Sequence, residues 1–327
     1  MSTPWRVLAL PPVPAAVMAD LFDPQRRADL EIVTPVERTQ EEVARLLPDV
    51  DVVLGDWSPS LRLVEPGPRV CFVQQPSVGV DGIDVDACTA AGVPVANCAG
   101  AGTTSVAEWC VSATLALLRH TVEADAAVRG GSWPQTALAG RELAGSRVGV
   151  VGMGPVGRAT AARYAAFGCD VVYWSRSRHD DAPATWSSLD DLLSTSDVVV
   201  LVIALGAATR DLLDDAGLAR LKPGALVVNA ARGGVLDEDA LVRALESGHV
   251  GAAALDVFRV EPLPAGSPLR SAPRVLLSPH AAGSTGQAVT RILQQTNANL
   301  RRVLDGQAVV DVVNGLDPHV VRRQDRA

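Results

Sequence analysis

The stretch Arg147-Val148-Gly149-Val150-Val151-Gly152-Met153-Gly154-Pro155-Val156-Gly157 reads as a strand, a glycine-rich turn and the start of a helix. The valine-rich run ends at Gly152, and apolar residues recur at helical spacing from Val156 to Phe167. In such a turn the first glycine permits the bend, the second lets backbone approach a pyrophosphate, and the third lets the helix pack on the strand. Here these are Gly152, Gly154 and Gly157. Pro155 suits a first helical turn, where a missing N–H is no loss. The helix start offers free N–H groups and a positive dipole end to phosphates. Gly152, Gly154, Pro155, Val156 and Gly157 are therefore the candidate dinucleotide cradle. A G-x-G-x-x-G pattern alone is a weak signal, and the strand before it with the helix after it supply the missing context.

Outward from this turn, short apolar runs alternate with helical patterns along the whole chain. That alternation predicts an α/β protein with doubly wound parallel sheets. Toward the N-terminus, strands are expected at Arg6–Leu10, Leu30–Thr34, Asp51–Leu54, Val70–Gln74 and Val93–Ala96, with helices at Ala15–Phe22 and Gln40–Leu47. A long helix is expected over Thr103–Val128, capped by Thr103 or Thr104 and stopped by Gly130-Gly131. Six strands then follow at Arg147–Val151, Asp170–Trp174, Val198–Val202, Ala225–Asn229, Ala252–Asp256 and Val275–Ser278, enough for a complete Rossmann sheet. A helix at Gln287–Asp305 and a strand-like tail at Val309–Asn314 lead back to the first unit. The expected organisation is two Rossmann-like domains: a discontinuous, flavodoxin-like substrate domain at 1–99 and 284–327, and a dinucleotide-binding domain at 100–283.

The strand after the turn ends in Trp174-Ser175-Arg176. An NAD site usually carries an acid there, bonded to the ribose hydroxyls. Ser175 removes that charge, and Arg176 can grip a 2'-phosphate with paired bonds. NADP(H) is therefore favoured over NAD(H). Arg232 follows the strand end Val227–Asn229 and precedes two glycines, where open sheets bind ligands. Its guanidinium can hold a carboxylate and polarise a neighbouring carbonyl. His280 follows the last strand and is suited to give a proton to an alkoxide near neutral pH. Glu261 can bond its second ring nitrogen and raise its pKa. Asp256 ends a strand and can either bond a nicotinamide carboxamide or tune the site. The backbone N–H groups of Val78 and Gly79, after a strand of the first domain, can bind a substrate carboxylate.

Composition narrows the classes. A net charge of −8 argues against a nucleic-acid partner. No apolar run is long enough for a membrane span or a signal peptide, which points to the cytoplasm. The five cysteines show no metal-ligand spacing and read as buried thiols, so no metal is expected. The only lysine, Lys222, sits in a Lys-Pro-Gly turn, unlike a buried Schiff-base lysine.

With these residues in view, the chain resembles the D-isomer-specific 2-hydroxyacid dehydrogenases. The matching segments are VGVDGID, TSVAEW, GMGPVG, NAARGGVLDEDAL, AALDVFRVEP and SPHAAGST, in the family's order. The resemblance implies reduction of a 2-keto acid to a D-2-hydroxy acid with NAD(P)H, glyoxylate or hydroxypyruvate being the first substrates to consider. It implies substrate binding by Arg232, acid/base chemistry by His280, partnership by Glu261, and a homodimer. Thr104, Ile203, Ala230, Ala231, Arg232, Asp256 and His280 join Ser175 and Arg176 in the expected cofactor site. Where the family often has His-x-Pro, this chain has Val202-Ile203-Ala204, and its substrate loop carries Pro76-Ser77. Glu261 counts against a formate dehydrogenase, which pairs its His with Gln. The lack of a further regulatory domain counts against the longer phosphoglycerate dehydrogenases. A phosphite dehydrogenase and a non-catalytic, dinucleotide-sensing corepressor remain alternatives.

Overall fold

The structure, a computed structural model, describes residues 3–20, 22–57 and 60–323. Leu21, inside the helix expected over Ala15–Phe22, lies outside them, as do 1–2, 58–59 and 324–327 of the first expected domain. The chain divides into two compact units, Met1–Gly102 with Thr285–Ala327, and Thr103–Ser284.

The first unit opens with β1 (Trp5–Ala9), α1 (Ala15–Asp20), β2 (Leu30–Val33), α2 (Gln40–Leu46), β3 (Val52–Leu54), β4 (Phe72–Gln74), α3 (Val85–Ala90) and β5 (Val95–Ala96). Its five described strands are parallel in the order β2-β1-β3-β4-β5, the flavodoxin-like arrangement. Parallel strands covered on both faces read as continuous apolar runs, which is why Val52–Leu54 and Phe72–Gln74 are wholly buried. Side-chain oxygens of Thr39 and Asp84 accept the N–H groups of Glu42 and Ala87 and so fix where α2 and α3 begin.

The second unit comprises α4 (Thr103–Leu118), α5 (Thr121–Arg129), β6 (Arg147–Val151), α6 (Pro155–Ala166), β7 (Asp170–Trp174), β8 (Thr185–Trp186), α7 (Leu189–Thr195), β9 (Val198–Leu201), α8 (Asp215–Ala219), β10 (Ala225–Asn229), α9 (Glu238–Glu246), β11 (Val250–Leu255) and β12 (Val275–Leu277). The strands form one parallel sheet, β12-β11-β10-β9-β6-β7-β8, whose order reverses at β6. This is the Rossmann order with one strand added beyond the expected six. The missed strand is Thr185–Trp186, two exposed residues too short to leave a pattern. Alternate residues of β9 face opposite sides. Val199 and Leu201 pack with Leu192 and Leu218, and Val198 and Val200 with Tyr164 and Ala161.

The single helix expected over Thr103–Val128 is two helices. The Leu118 carbonyl accepts the Arg141 N–H at 3.0 Å instead of continuing the helical ladder. His120 then takes a left-handed turn at φ 51°. A Cβ on Gly140 would lie 2.3 Å from that same carbonyl, so the residue that lets the two segments meet must be glycine. Thr103 is already the first helical residue, so neither it nor Thr104 stands outside the helix as a cap.

The chain returns to the first unit through α10 (Gly286–Leu304), capped by Thr285 and packed through Leu300 and Val303 on Val7, Val52 and Phe72. Buried Asn299 bonds Gln74 Oε1 at 2.8 Å and both polar groups of Val310. The tail at Val309–Asn314 is not a strand. It makes one isolated antiparallel bridge, Val312 to Ala96. Backbone bonds from Asn97 N–H to the Asp311 carbonyl and from Val313 N–H to the Val95 carbonyl flank that bridge, and beyond them side chains take over: Asn299 accepts the N–H of Val310 and Asn314 accepts the N–H of Val95.

Asn299→Ala is expected to lower the urea midpoint, with a cost of about 2 kcal/mol, because it strands a buried amide oxygen and two backbone groups. Denaturation followed by circular dichroism checks it.

Candidate active site

Each glycine of the turn after β6 meets a different physical demand. Gly152 has φ 107°, and a Cβ there would lie 2.7 Å from the Val202 carbonyl oxygen. Gly157 presses on the Gly152 carbonyl, where a Cβ would come within 2.0 Å. Gly154 is the opposite case, with nothing within 4 Å of an added Cβ. The tight positions serve the fold, and the open one leaves the backbone exposed at the head of α6. Gly154 is the N-cap and has no side chain to bond the first N–H groups, while Pro155 occupies the first turn. An anion can therefore take the N–H groups of Val156 and Gly157. The cradle fits a dinucleotide pyrophosphate.

Ser175 and Arg176 follow β7 directly. The Ser175 hydroxyl donates to the Ser177 carbonyl at 2.5 Å. Arg176 is exposed, whereas Arg178 and Arg158 face Asp180 and Asp181. Ile203 abuts the turn, since its Cα would lie 2.9 Å from a Cβ on Gly152. Thr104 is exposed in the first turn of α4, with no geometry here that ties it to the cradle.

Arg232 sits just beyond β10, and the turn that carries it is held from beneath. The buried Asn229 side chain accepts the Ala231 N–H at 3.0 Å and donates to the Arg232 carbonyl at 3.2 Å. The Arg232 guanidinium donates to the Ala231 carbonyl at 2.7 Å. Ala231 is buried and Ala230 partly so. A Cβ on Gly233 would lie 1.9 Å from the Phe258 carbonyl carbon, so the next loop crosses directly over it. Asn229 was not among the expected site residues. Its signal was a lone amide closing an otherwise apolar strand.

That crossing loop carries Glu261. One carboxylate oxygen accepts the Phe258 N–H at 2.9 Å, and the other lies 2.7 Å from His280 Nδ1. Glu261 is mostly buried and the His280 side chain is 49% exposed, which leaves the far ring nitrogen open to a ligand. Burial pushes the Glu261 carboxyl up, but the bonds from His280 and Phe258 and the charge of Arg232 bring it below the ordinary value. The Glu261 hydrogen bond raises the His280 pKa, against burial and against Arg232, which both lower it. Arg232 thus acts on both members of the pair.

Asp256, at the end of β11, holds the loop that carries His280. It is 2% exposed, and its carboxylate accepts the N–H groups of Ala281 at 2.7 Å and Ala282 at 2.9 Å and the Ser278 hydroxyl. Its own carbonyl accepts the His280 N–H at 2.8 Å. His280 stands at φ 54°, a left-handed conformation costing about 1–2 kcal/mol for a residue with a Cβ. Hydrogen bonds to a charged group contribute roughly 1.5–3 kcal/mol each, so the Asp256 set outweighs that strain.

In the first unit, the loop after β4 is tied by Gln75 to Ser77, Ser77 to the Gly79 carbonyl and Asn97 to the Val78 carbonyl, all within 2.8 Å. The bonds fix the carbonyls of Val78 and Gly79, while their N–H groups meet no acceptor among the described residues.

Residues 111–282 match the family described as D-isomer specific 2-hydroxyacid dehydrogenase, NAD binding domain. The chain belongs to this family. It is 38% identical to D-3-phosphoglycerate dehydrogenase of Mycobacterium leprae over 284 residues, covering 85% of this chain and 53% of that protein. It is 36% identical to glyoxylate reductase of Thermofilum pendens over 287 residues, covering 84% and 85%. Among solved structures, a glyoxylate reductase from Paecilomyes thermophila superposes with a TM-score of 0.85 at 28% identity, over 95% of this chain and 99% of that one. The chain spans about half the length of the curated phosphoglycerate dehydrogenases it matches.

Two substitutions separate the roles of the glycines in this NAD-binding family member. Gly154→Ala is expected to leave the melting temperature unchanged and weaken dinucleotide binding at least about tenfold, because the new methyl enters the open cradle. Gly157→Ala is expected to lower the melting temperature itself, because its methyl meets backbone. Thermal unfolding and cofactor titration of both variants check this.

Proposed function

We propose that this chain reduces a 2-keto acid of the glyoxylate or hydroxypyruvate class to the D-2-hydroxy acid, using NAD(P)H. The observation that carries the reading is the 2.7 Å bond between His280 Nδ1 and Glu261, with Arg232 electrostatically coupled to both. The glyoxylate reductase of Thermofilum pendens, of which the chain covers 85%, supports the substrate class.

Arg232 takes the substrate carboxylate with its forked N–H groups and polarises the keto oxygen. In the first unit, the backbone N–H groups of Val78 and Gly79 are kept as candidates for carboxylate binding. When bound, the reduced nicotinamide supplies the hydride. His280 enters protonated on both ring nitrogens: Nδ1–H stays on Glu261, and Nε2–H goes to the oxygen that gains negative charge. In the reverse direction neutral His280 takes that proton back. Glu261 is a positioning residue that fixes the ring and stabilises its charged form. Asp256 and Asn229 position the loops that carry His280 and Arg232. Ser175 and Arg176 favour NADP(H). Ile203 abuts the cradle, and Thr104, Ala230 and Ala231 are kept as cofactor-site candidates on the family resemblance.

The sign of the pH dependence follows from the raised pKa of His280. Reduction needs the imidazolium, so its rate holds below that pKa and falls as pH rises through it; oxidation behaves oppositely. Glu261→Gln removes the group that raises the pKa, so the alkaline limb of kcat/KM for reduction is expected to move to lower pH. His280→Ala is expected to lower kcat by about a thousandfold while cofactor binding persists. Near-wild-type turnover in His280→Ala would refute the assignment.

Absorbance at 340 nm with glyoxylate, hydroxypyruvate and pyruvate, each with NADPH and with NADH, tests substrate class and cofactor preference together. Faster oxidation of NADPH is expected, with the preference falling in Arg176→Ala. Equal kcat/KM for both cofactors would remove the preference, and no turnover with intact cofactor binding would favour a sensor.

A further inference from the structure

At the amino-terminal edge of the second unit's sheet, opposite the strand ends that carry Arg232 and His280, lies a cavity of about 440 Å³. Its floor includes Leu118, Leu245 and Val250, and three basic residues, His120, Arg141 and Arg274, line it with no Asp or Glu. This is notable in a chain of net charge −8. Among the described residues, the side chains of Arg141 and Arg274 make no hydrogen bond or ion pair. The carboxylate that senses Arg141, Asp197, is already held by Lys222 Nζ at 2.6 Å and the Arg147 N–H at 2.9 Å. Two of the three basic residues are held at positive φ, 51° for His120 and 54° for Arg274. The backbone around both is fixed: the Arg274 carbonyl accepts the Ala253 N–H at 3.1 Å, and Arg141 is bonded to Leu118 just before His120.

We infer that this cavity is a second ligand site, built for a phosphate monoester with an apolar body. Guanidinium groups match phosphate oxygens in paired geometry, and two of them with an imidazole suit a dianion. The volume is in the range of small-molecule sites and exceeds what a lone phosphate fills. Leucine and valine side chains provide an apolar surface for the rest of the ligand. Ions at the catalytic end of the sheet are met by a different set of residues, so the site is independent of the catalytic assignment.

Phenyl phosphate is the probe, titrated calorimetrically into the full chain with NADPH present so that the glycine-rich turn is occupied. Wild type is expected to bind it saturably and to bind inorganic phosphate at least about tenfold more weakly. Arg141→Gln and Arg274→Asn, singly and together, are expected to weaken phenyl phosphate at least about tenfold; asparagine is chosen at 274 because it tolerates positive φ. Arg232→Gln is expected to keep this binding, and the Arg141 and Arg274 variants to keep their turnover of keto acid. Measuring the single variants keeps the test decisive if the pair fails to fold. Three outcomes overturn the inference: no saturable binding to wild type, undiminished binding in both single variants, or loss of binding in Arg232→Gln alone. Equal affinity for inorganic phosphate overturns the apolar half of it.

Discussion

The buried carboxylate of Asp256 is the constraint on which the catalytic end of the second unit depends. It gathers two consecutive backbone N–H groups and a serine hydroxyl, while its carbonyl holds the N–H of His280. A carboxylate this deep is costly unless its oxygens are satisfied, and satisfying them is what bends the chain after β12. The bend places His280 in a left-handed conformation that it would not adopt unaided. The acid/base candidate is therefore aimed by the Asp256 carboxylate and carbonyl. The backbone N–H of Asp256 bonds the Asn229 carbonyl, which links the two loops in one network.

Two kinds of support meet at this edge of the sheet. Polar side chains at strand ends, Asn229 and Asp256, hold loops by replacing the ladder bonds that end there. Glycines hold loops by removing atoms: Gly157 against the Gly152 carbonyl, Gly233 against Phe258. The first kind sets direction and the second sets separation. Together they bring Arg232, Glu261 and His280 close enough for each to shift the protonation of another. The balance leaves the carboxyl ionised and the imidazole more basic than usual, the condition a proton donor at neutral pH needs.

The same sheet has chemistry of opposite character at its two edges. At the carboxyl edge, cationic groups are compensated: Arg232 by its carbonyl contact and by Glu261, His280 by Glu261. At the amino edge, Arg141 and Arg274 face a cavity without acids. The helix break at Leu118–His120 shapes that second edge, because one continuous helix would run past it.

The sequence by itself determined the parallel α/β architecture and the cradle turn, and it named the residues of the candidate catalytic set. Apolar runs, glycine spacing and helix caps are local, and each of these features is written in consecutive residues. Family membership was legible for the same reason, through the NAARGG, ALDVFRVEP and SPHAAGST segments. Tertiary structure alone decided the break in the Thr103–Val128 helix, since its cause is the Arg141 N–H and Gly140, more than twenty positions beyond Leu118. It alone showed the Thr185–Trp186 strand, too short for a pattern, and reduced the expected tail strand to one bridge, with Asn299 bonding Val310. It showed the Asp256 carboxylate holding the loop that carries His280. It also revealed Asn229 as the support under Arg232. Sequence specifies which groups are present, but hydrogen-bond partners distant along the chain settle where each one points.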